Sequence, residues 1–209
     1  MSRNPTLFDS VINGDMAVTV AEIQQEIDRG TPPQMLLEEN LIPAMAEVGR
    51  LFEENEYFVP ELLISARAMQ EGMKLLNPLL TASGIEKAGY VVIGTVKGDL
   101  HDIGKNLVKS MLEGGGFEVL DLGVDVAPEK FVEEAKSRPG TIIALSALLT
   151  TTMPQMKNVI DALKMSGIRD SVKVMIGGAP VTEEYAQAIG ADGYSDNASA
   201  AVQLAHQFV

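Results

Sequence analysis

The segment KGDLHDIGKN, residues 97–106, places one imidazole between two carboxylates and two glycines. His101 is one of two histidines in the chain; the other, His206, lies near the C-terminus in a stretch with helical character. A lone loop histidine is more often structural than a ligand. Asp99, two positions earlier, changes that reading. Its carboxylate can accept the second imidazole N–H and so fix tautomer, orientation and basicity, as metal-bound histidines usually require. Two further segments carry hydroxyls and glycines of the kind that meet a large ligand: SALLTTTMP from residue 146 and GGAPVTEE from residue 177.

Rival chemistries fail on spacing. A phosphate-binding loop needs four residues between its glycines and a Ser or Thr after the lysine, whereas five separate Gly98 from Gly104 and Asn106 follows Lys105. Gly94, Gly98 and Gly104 do not fit the dinucleotide fingerprint either. A hydrolytic metal centre at His101 and Asp102 would need further ligands that one remote histidine cannot supply. A phosphorelay receiver would carry an acid at the end of the third strand, where the sequence has Ser146, Ala147 and Leu148.

The elements that position these segments follow from periodicity. Up to about residue 83 the pattern is helical only, with helices expected over Thr6–Ile12, Asp15–Arg29, Pro33–Asn55 and Pro60–Ser83. Pro43 and Pro78 fall inside two of them and are expected to kink a helix or to mark a boundary. TASGIEKAG, residues 81–89, is expected to be the linker. Beyond it, YVVIGTV at 90, FEVLDLG at 117, TIIALSAL at 141, VKVMIGGA at 172 and a short ADGYS at 191 read as strands. Helical stretches from Gly104, Pro128, Met153, Thr182 and about Asn197 alternate with them. Such alternation predicts an α/β domain, a five-stranded parallel sheet of flavodoxin-like order 2-1-3-4-5, preceded by a small all-α helical bundle. The domain boundaries expected are 1–85 and 90–209. Ligands of such sheets bind beyond the carboxyl ends of the strands, where all three unusual segments fall.

A net charge of −13 without a cluster of Lys and Arg argues against nucleic acid and anionic membrane surfaces as partners. The chain has no cysteine, and neither an apolar signal core nor a membrane-spanning run is visible, so a soluble cytoplasmic protein is expected.

GDLHDIG, residues 98–104, has the D-x-H-x-x-G pattern. Together with SAL at 146–148 and GGAP at 177–180, it resembles the cofactor signature of cobalamin-binding domains in methionine synthase, base-off mutases and the corrinoid proteins of methyltransferase systems. The helical half, including YFVPELLISARAM, is similar to the cap domain that precedes these modules. No substrate barrel accompanies it. The resemblance therefore implies a corrinoid protein that carries a methyl group on cobalt. The group would pass from a substrate-specific methyltransferase to a second one acting on tetrahydrofolate or a thiol such as coenzyme M, with a reductive activator as a further partner. On this reading the chain is the methyl-carrying subunit of a system and not a complete enzyme alone.

The resemblance also assigns roles. His101 would be the lower axial ligand of cobalt in a base-off cobalamin, Asp99 would hydrogen-bond it, and Ser146 would continue that relay. Gly98, Leu100, Asp102, Ile103 and Gly104 would complete the first cofactor segment. Leu148, Thr150, Gly177, Gly178 and Ala179 would line the channel for the nucleotide tail, with Tyr194 and Ser195 as further contacts. Phe58, Leu62 and Met69 of the cap would cover the corrin, and the cap would have to move to admit a partner. Two other readings stay open: a cobalamin-dependent sensor or regulatory module, and a flavodoxin-like module for a different ligand.

Overall fold

The computed structural model describes residues 3–84 and 87–209, so part of the expected linker, Ile85 and Glu86, lies outside the described residues. The chain divides into two compact units, residues 1–87 with 113–116, and residues 88–112 with 117–209.

The first unit is helical: α1 (Pro5–Ile12), α2 (Met16–Asp28), α3 (Pro33–Leu36), a π-helical turn (Leu37–Leu41), α4 (Ile42–Glu53) and α5 (Val59–Ala82). Asn4 and Asp15 cap α1 and α2 by accepting the amides of Leu7 and Val18. The expected helix from Pro33 is thus broken by the π turn, which directly precedes Pro43. Proline offers no N–H to the carbonyl four residues back. That carbonyl belongs to Glu39, and it accepts the Arg3 Nε–H instead, at 3.2 Å. Pro78 marks no boundary, because α5 runs through it to Ala82. Of the three apolar residues singled out here, Phe58 is exposed whereas Leu62 and Met69 are fully buried.

The second unit is a five-stranded parallel sheet in the order β2-β1-β3-β4-β5, as the strand pattern predicted. Its elements are β1 (Tyr90–Thr95), α6 (Ile103–Gly114), β2 (Glu118–Asp121), α7 (Pro128–Ser137), β3 (Ile142–Ser146), α8 (Pro154–Met165), β4 (Lys173–Gly177), α9 (Glu183–Ile189), β5 (Gly193–Tyr194) and α10 (Ala198–Gln207). The central strands β1, β3 and β4 are buried on both faces, so their sequences read as continuous apolar runs, whereas the edge strands β2 and β5 are half-buried. Val92, Ile143, Leu145, Val174 and Ile176 pack with Phe131, Val159 and Ile160 on one side. Val91, Ile93, Ile142, Ala144 and Met175 pack with Leu112, Ala201 and Ala205 on the other. β3 and β4 end at Ser146 and Gly177, a residue or two earlier than their apolar runs suggest.

Register positions the site. Thr95 pairs with Ser146 and Ser146 with Gly177, so three strands end on one line and release their loops at the same level. His206 lies outside that region: in α10 its ring meets Phe117 with centroids 4.8 Å apart.

Gly94 is the next-to-last residue of β1, where a Cβ would sit 2.7 Å from a ring carbon of the buried Phe131. Gly94→Ala is expected to lower stability by ~1–3 kcal/mol through overpacking, read from the urea midpoint. An unchanged midpoint would show that the ring gives way freely.

Candidate functional site

Two loops converge on one buried carboxylate. The turn after β1 starts at Lys97 and Gly98, where φ of +81° suits glycine, and brings Asp99 inward until it is 2% exposed. Asp99 Oδ1 accepts His101 Nδ1 at 2.6 Å and the His101 amide at 3.3 Å. Asp99 Oδ2 accepts the Thr152 hydroxyl at 2.6 Å and the amides of Leu148 and Leu149 at 2.9 and 3.4 Å. Burial alone would raise this carboxyl's pKa. The hydrogen bonds from Thr152, His101 and the backbone of Leu148 outweigh it and hold the group well below the ordinary carboxylate range.

An ionised Asp99 can only accept, so Nδ1 of a neutral His101 carries the proton and Nε2 keeps a lone pair. Nε2 lies 2.9 Å from Ser146 Oγ, which in that tautomer donates to it. The chain of contacts therefore runs Ser146, His101, Asp99, Thr152. This corrects the expected order, in which Ser146 lay beyond Asp99. Ser146, at the end of β3 beside Thr95, faces the far ring nitrogen, and the second oxygen of Asp99 is taken by Thr152 from the next loop.

The imidazole is also held by its backbone. Thr95 Oγ1 donates to the His101 carbonyl at 2.8 Å. From the loop after β2, Asp125 Oδ1 accepts the Gly98 amide at 2.7 Å, and the Asp125 amide donates to the Asp99 carbonyl at 3.0 Å. Asp125 does this at φ +53°, uncommon for a residue other than glycine. Sequence reasoning missed Thr95, Asp125 and Thr152. Thr152 stands in a run of three threonines whose exposed first member, Thr150, had been singled out instead. Asp125 carries no motif, and nothing in the sequence pointed to it.

The remaining residues surround this centre unequally. Leu100 and Ile103 are 73% and 81% exposed, and Leu148 and Leu149 are also exposed, so the two loops that meet at Asp99 both present apolar side chains to solvent. Asp102 and Ala179 are exposed, Tyr194 is half-buried and Ser195 is buried. The glycines differ in cause. A Cβ at Gly178 would lie 1.9 Å from the Ala147 carbonyl oxygen, and one at Gly177 would lie 3.0 Å from that of Ser195. Those two are required by the protein's own backbone. Gly104 has open space on that side. Among the described residues, no group of three or more His, Cys, Asp and Glu side chains is arranged to hold a metal ion, and no helix is long and apolar enough to cross a membrane.

A family model described as B12 binding domain matches residues 89–203, and a second of the same description matches residues 5–77. The chain is 45% identical over 190 residues to dimethylamine corrinoid protein 3 of Methanosarcina acetivorans, covering 91% of this chain and 89% of that one. It is 42% identical over 204 residues to dimethylamine corrinoid protein 2 of Methanosarcina mazei, covering 97% and 95%. Among solved structures, a cobalamin-binding protein from Desulfitobacterium hafniense matches with a TM-score of 0.82 at 34% identity over 97% of both chains. The methanol:cobalamin methyltransferase complex of Methanosarcina barkeri matches with a TM-score of 0.84 at 31% identity, over 97% of this chain and 77% of that one.

The depressed pKa of Asp99 ties the site to stability with a definite sign. A carboxylate whose pKa is lower folded than unfolded stabilises above the unfolded value, and that contribution fades as pH falls below about 4 toward the folded value. Asp99→Asn is expected to cost ~1–3 kcal/mol at neutral pH. Thermal unfolding of both proteins across acid pH should show the gap closing as pH drops; a gap independent of pH would contradict the assignment.

Proposed function

We propose, from the premise that this chain belongs to the B12 binding domain family, that it carries a methyl group on a corrinoid between two methyltransferases, with His101 as the lower axial ligand of cobalt in place of the cofactor's own base. In this reading residues 1–85 are the cap domain and residues 90–209 hold the cofactor. The donor-side partner is a substrate-specific methyltransferase, and the acceptor-side enzyme uses tetrahydrofolate or a thiol such as coenzyme M.

The observation that carries the ligand assignment is the paired imidazole. Nδ1 is committed to a buried, ionised carboxylate, which leaves Nε2 as a basic nitrogen with one replaceable hydroxyl partner. The surroundings fit a corrinoid in chemistry as well. Exposed Leu100, Ile103, Leu148 and Leu149 would meet its apolar edge, and the open side of Gly104 leaves room for bulk that no protein atom fills. Gly98 and Asp102 complete that first segment, while Thr150, Gly177, Gly178, Ala179, Tyr194 and Ser195 are assigned to the nucleotide tail.

When bound, the corrinoid supplies the cobalt centre to which a methyl group attaches and from which it leaves. His101 supplies the ligand, and its Nε2 must exchange the Ser146 hydroxyl for the metal. Asp99 accepts the Nδ1–H and so keeps the imidazole aimed. Thr152, with the amides of Leu148 and Leu149, holds Asp99 in place and keeps it ionised.

Protein reconstituted anaerobically with hydroxocobalamin should keep its colour through desalting, and the reduced Co(II) form should show coupling to a protein nitrogen by electron paramagnetic resonance. Protein made with nitrogen-15 histidine separates the two bases, since a protein imidazole then gives a doublet where the cofactor's base gives a triplet. His101→Ala should lose the doublet and weaken retention about 10- to 100-fold. A labelled protein that binds corrinoid but gives only the triplet would overturn the ligand assignment. Methyl transfer assayed with candidate methyltransferases tests the shuttle itself.

A further inference from the structure

We infer that the buried ion pair of Lys105 and Asp121 is a positioning device for His101, fixing the ligand loop at both of its ends; the inference rests on His101 being the cobalt ligand. Lys105 stands on the first turn of α6, immediately after the ligand loop, and is 2% exposed, which puts a lysine among the largest fully buried side chains of the described residues. A buried ammonium is costly unless every donor is matched. Here all three are: Nζ lies 2.7 Å from Asp121 Oδ1, 2.7 Å from Asp121 Oδ2 and 2.7 Å from Asn106 Oδ1.

The two partners, Asn106 and Asp121, lead back to the loop by different routes. Asn106 reaches the residue after the ligand: its amide donates to the Asp102 carbonyl at 2.7 Å and its Nδ2 to the Asp102 carboxylate at 3.3 Å. Asp121, at the end of β2, reaches the ligand itself. Its Oδ1 accepts the Gly123 amide at 2.9 Å, the Gly123 carbonyl accepts the Thr95 amide at 3.0 Å, and the Thr95 hydroxyl donates to the His101 carbonyl at 2.8 Å. Lys105 is the joint where the two routes meet. None of its nitrogen's partners is a group assigned to the cofactor. Buried ion pairs can often be replaced by apolar side chains of similar size without loss of stability, so the geometry that this pair imposes is separable from the stability it contributes.

The test uses the full chain and hydroxocobalamin as probe. The double variant Lys105→Met with Asp121→Leu removes both charges of the pair together; Lys109, whose Nζ lies 3.6 Å from Asp121 Oδ2, is about a third exposed and turns to water. Cooperative thermal unfolding should persist. Corrinoid retention should fall about tenfold, and in nitrogen-15 histidine protein the Co(II) doublet should broaden or lose intensity. A folded double variant with wild-type affinity and a wild-type doublet would overturn the inference. Should that variant not fold, Asp121→Asn, which keeps hydrogen-bond acceptance but removes the charge, decides by the same two readings. Absence of the doublet from the wild-type protein overturns the ligand assignment, and this inference with it.

Discussion

A carboxylate placed at the mouth of a parallel sheet, almost wholly out of water, has to find donors for both of its oxygens or give up its charge. Asp99 finds them on two loops: the imidazole and amide of His101 on its own loop, and the hydroxyl of Thr152 with the amides of Leu148 and Leu149 on the loop after β3. The demand for satisfied acceptors thus binds the β1 and β3 loops to each other. It also decides where the proton of a neutral His101 sits. If that one charge were removed, the tautomer, the orientation of the ring and the closure of the two loops would all lose their cause.

The sheet makes this economical in chain length. Parallel pairing brings Thr95, Ser146 and Gly177 to one level, so residues far apart in sequence leave their strands side by side. Ser146 then faces Nε2 directly, and Gly178 must lack a side chain because the Ala147 carbonyl already fills that space. The fold does not merely carry the loops, since its register sets which atoms can meet.

Much of this was legible in the sequence, for identifiable reasons. Strands buried on both faces leave uninterrupted apolar runs, so β1, β3 and β4 stood out, and their alternation with helices fixed the sheet order. His101 and Asp99 were visible because both ends of their hydrogen bond lie on one short loop. Thr152 and Asp125 were not, because their partners lie 53 and 27 positions away and neither belongs to a local pattern. Proline was misleading in α5, where a long packed helix tolerates Pro78, and informative near α4. There a π turn and the distant Arg3 together take up what Pro43 removes. Glycine was the least readable letter: Gly178 and Gly104 look alike in sequence, yet one is excluded from a side chain by its own protein and the other faces open space.

The two nitrogens of His101 are held with unequal strength, and that inequality matters for any role the ring plays. The bond from Nδ1 goes to an ionised, buried acceptor, a class of contact worth roughly 1.5–3 kcal/mol. The bond at Nε2 pairs a neutral ring with a neutral hydroxyl, worth roughly 0.5–1.5 kcal/mol. A competitor for the imidazole therefore displaces Ser146 before it disturbs Asp99. Ser146 is only partly buried, so its hydroxyl can turn to water once released, whereas Asp99 Oδ1 would lose its shortest donor at a position almost wholly out of water. The ring can change partners on one side only, and the side that is free to change is the one facing away from the buried charge.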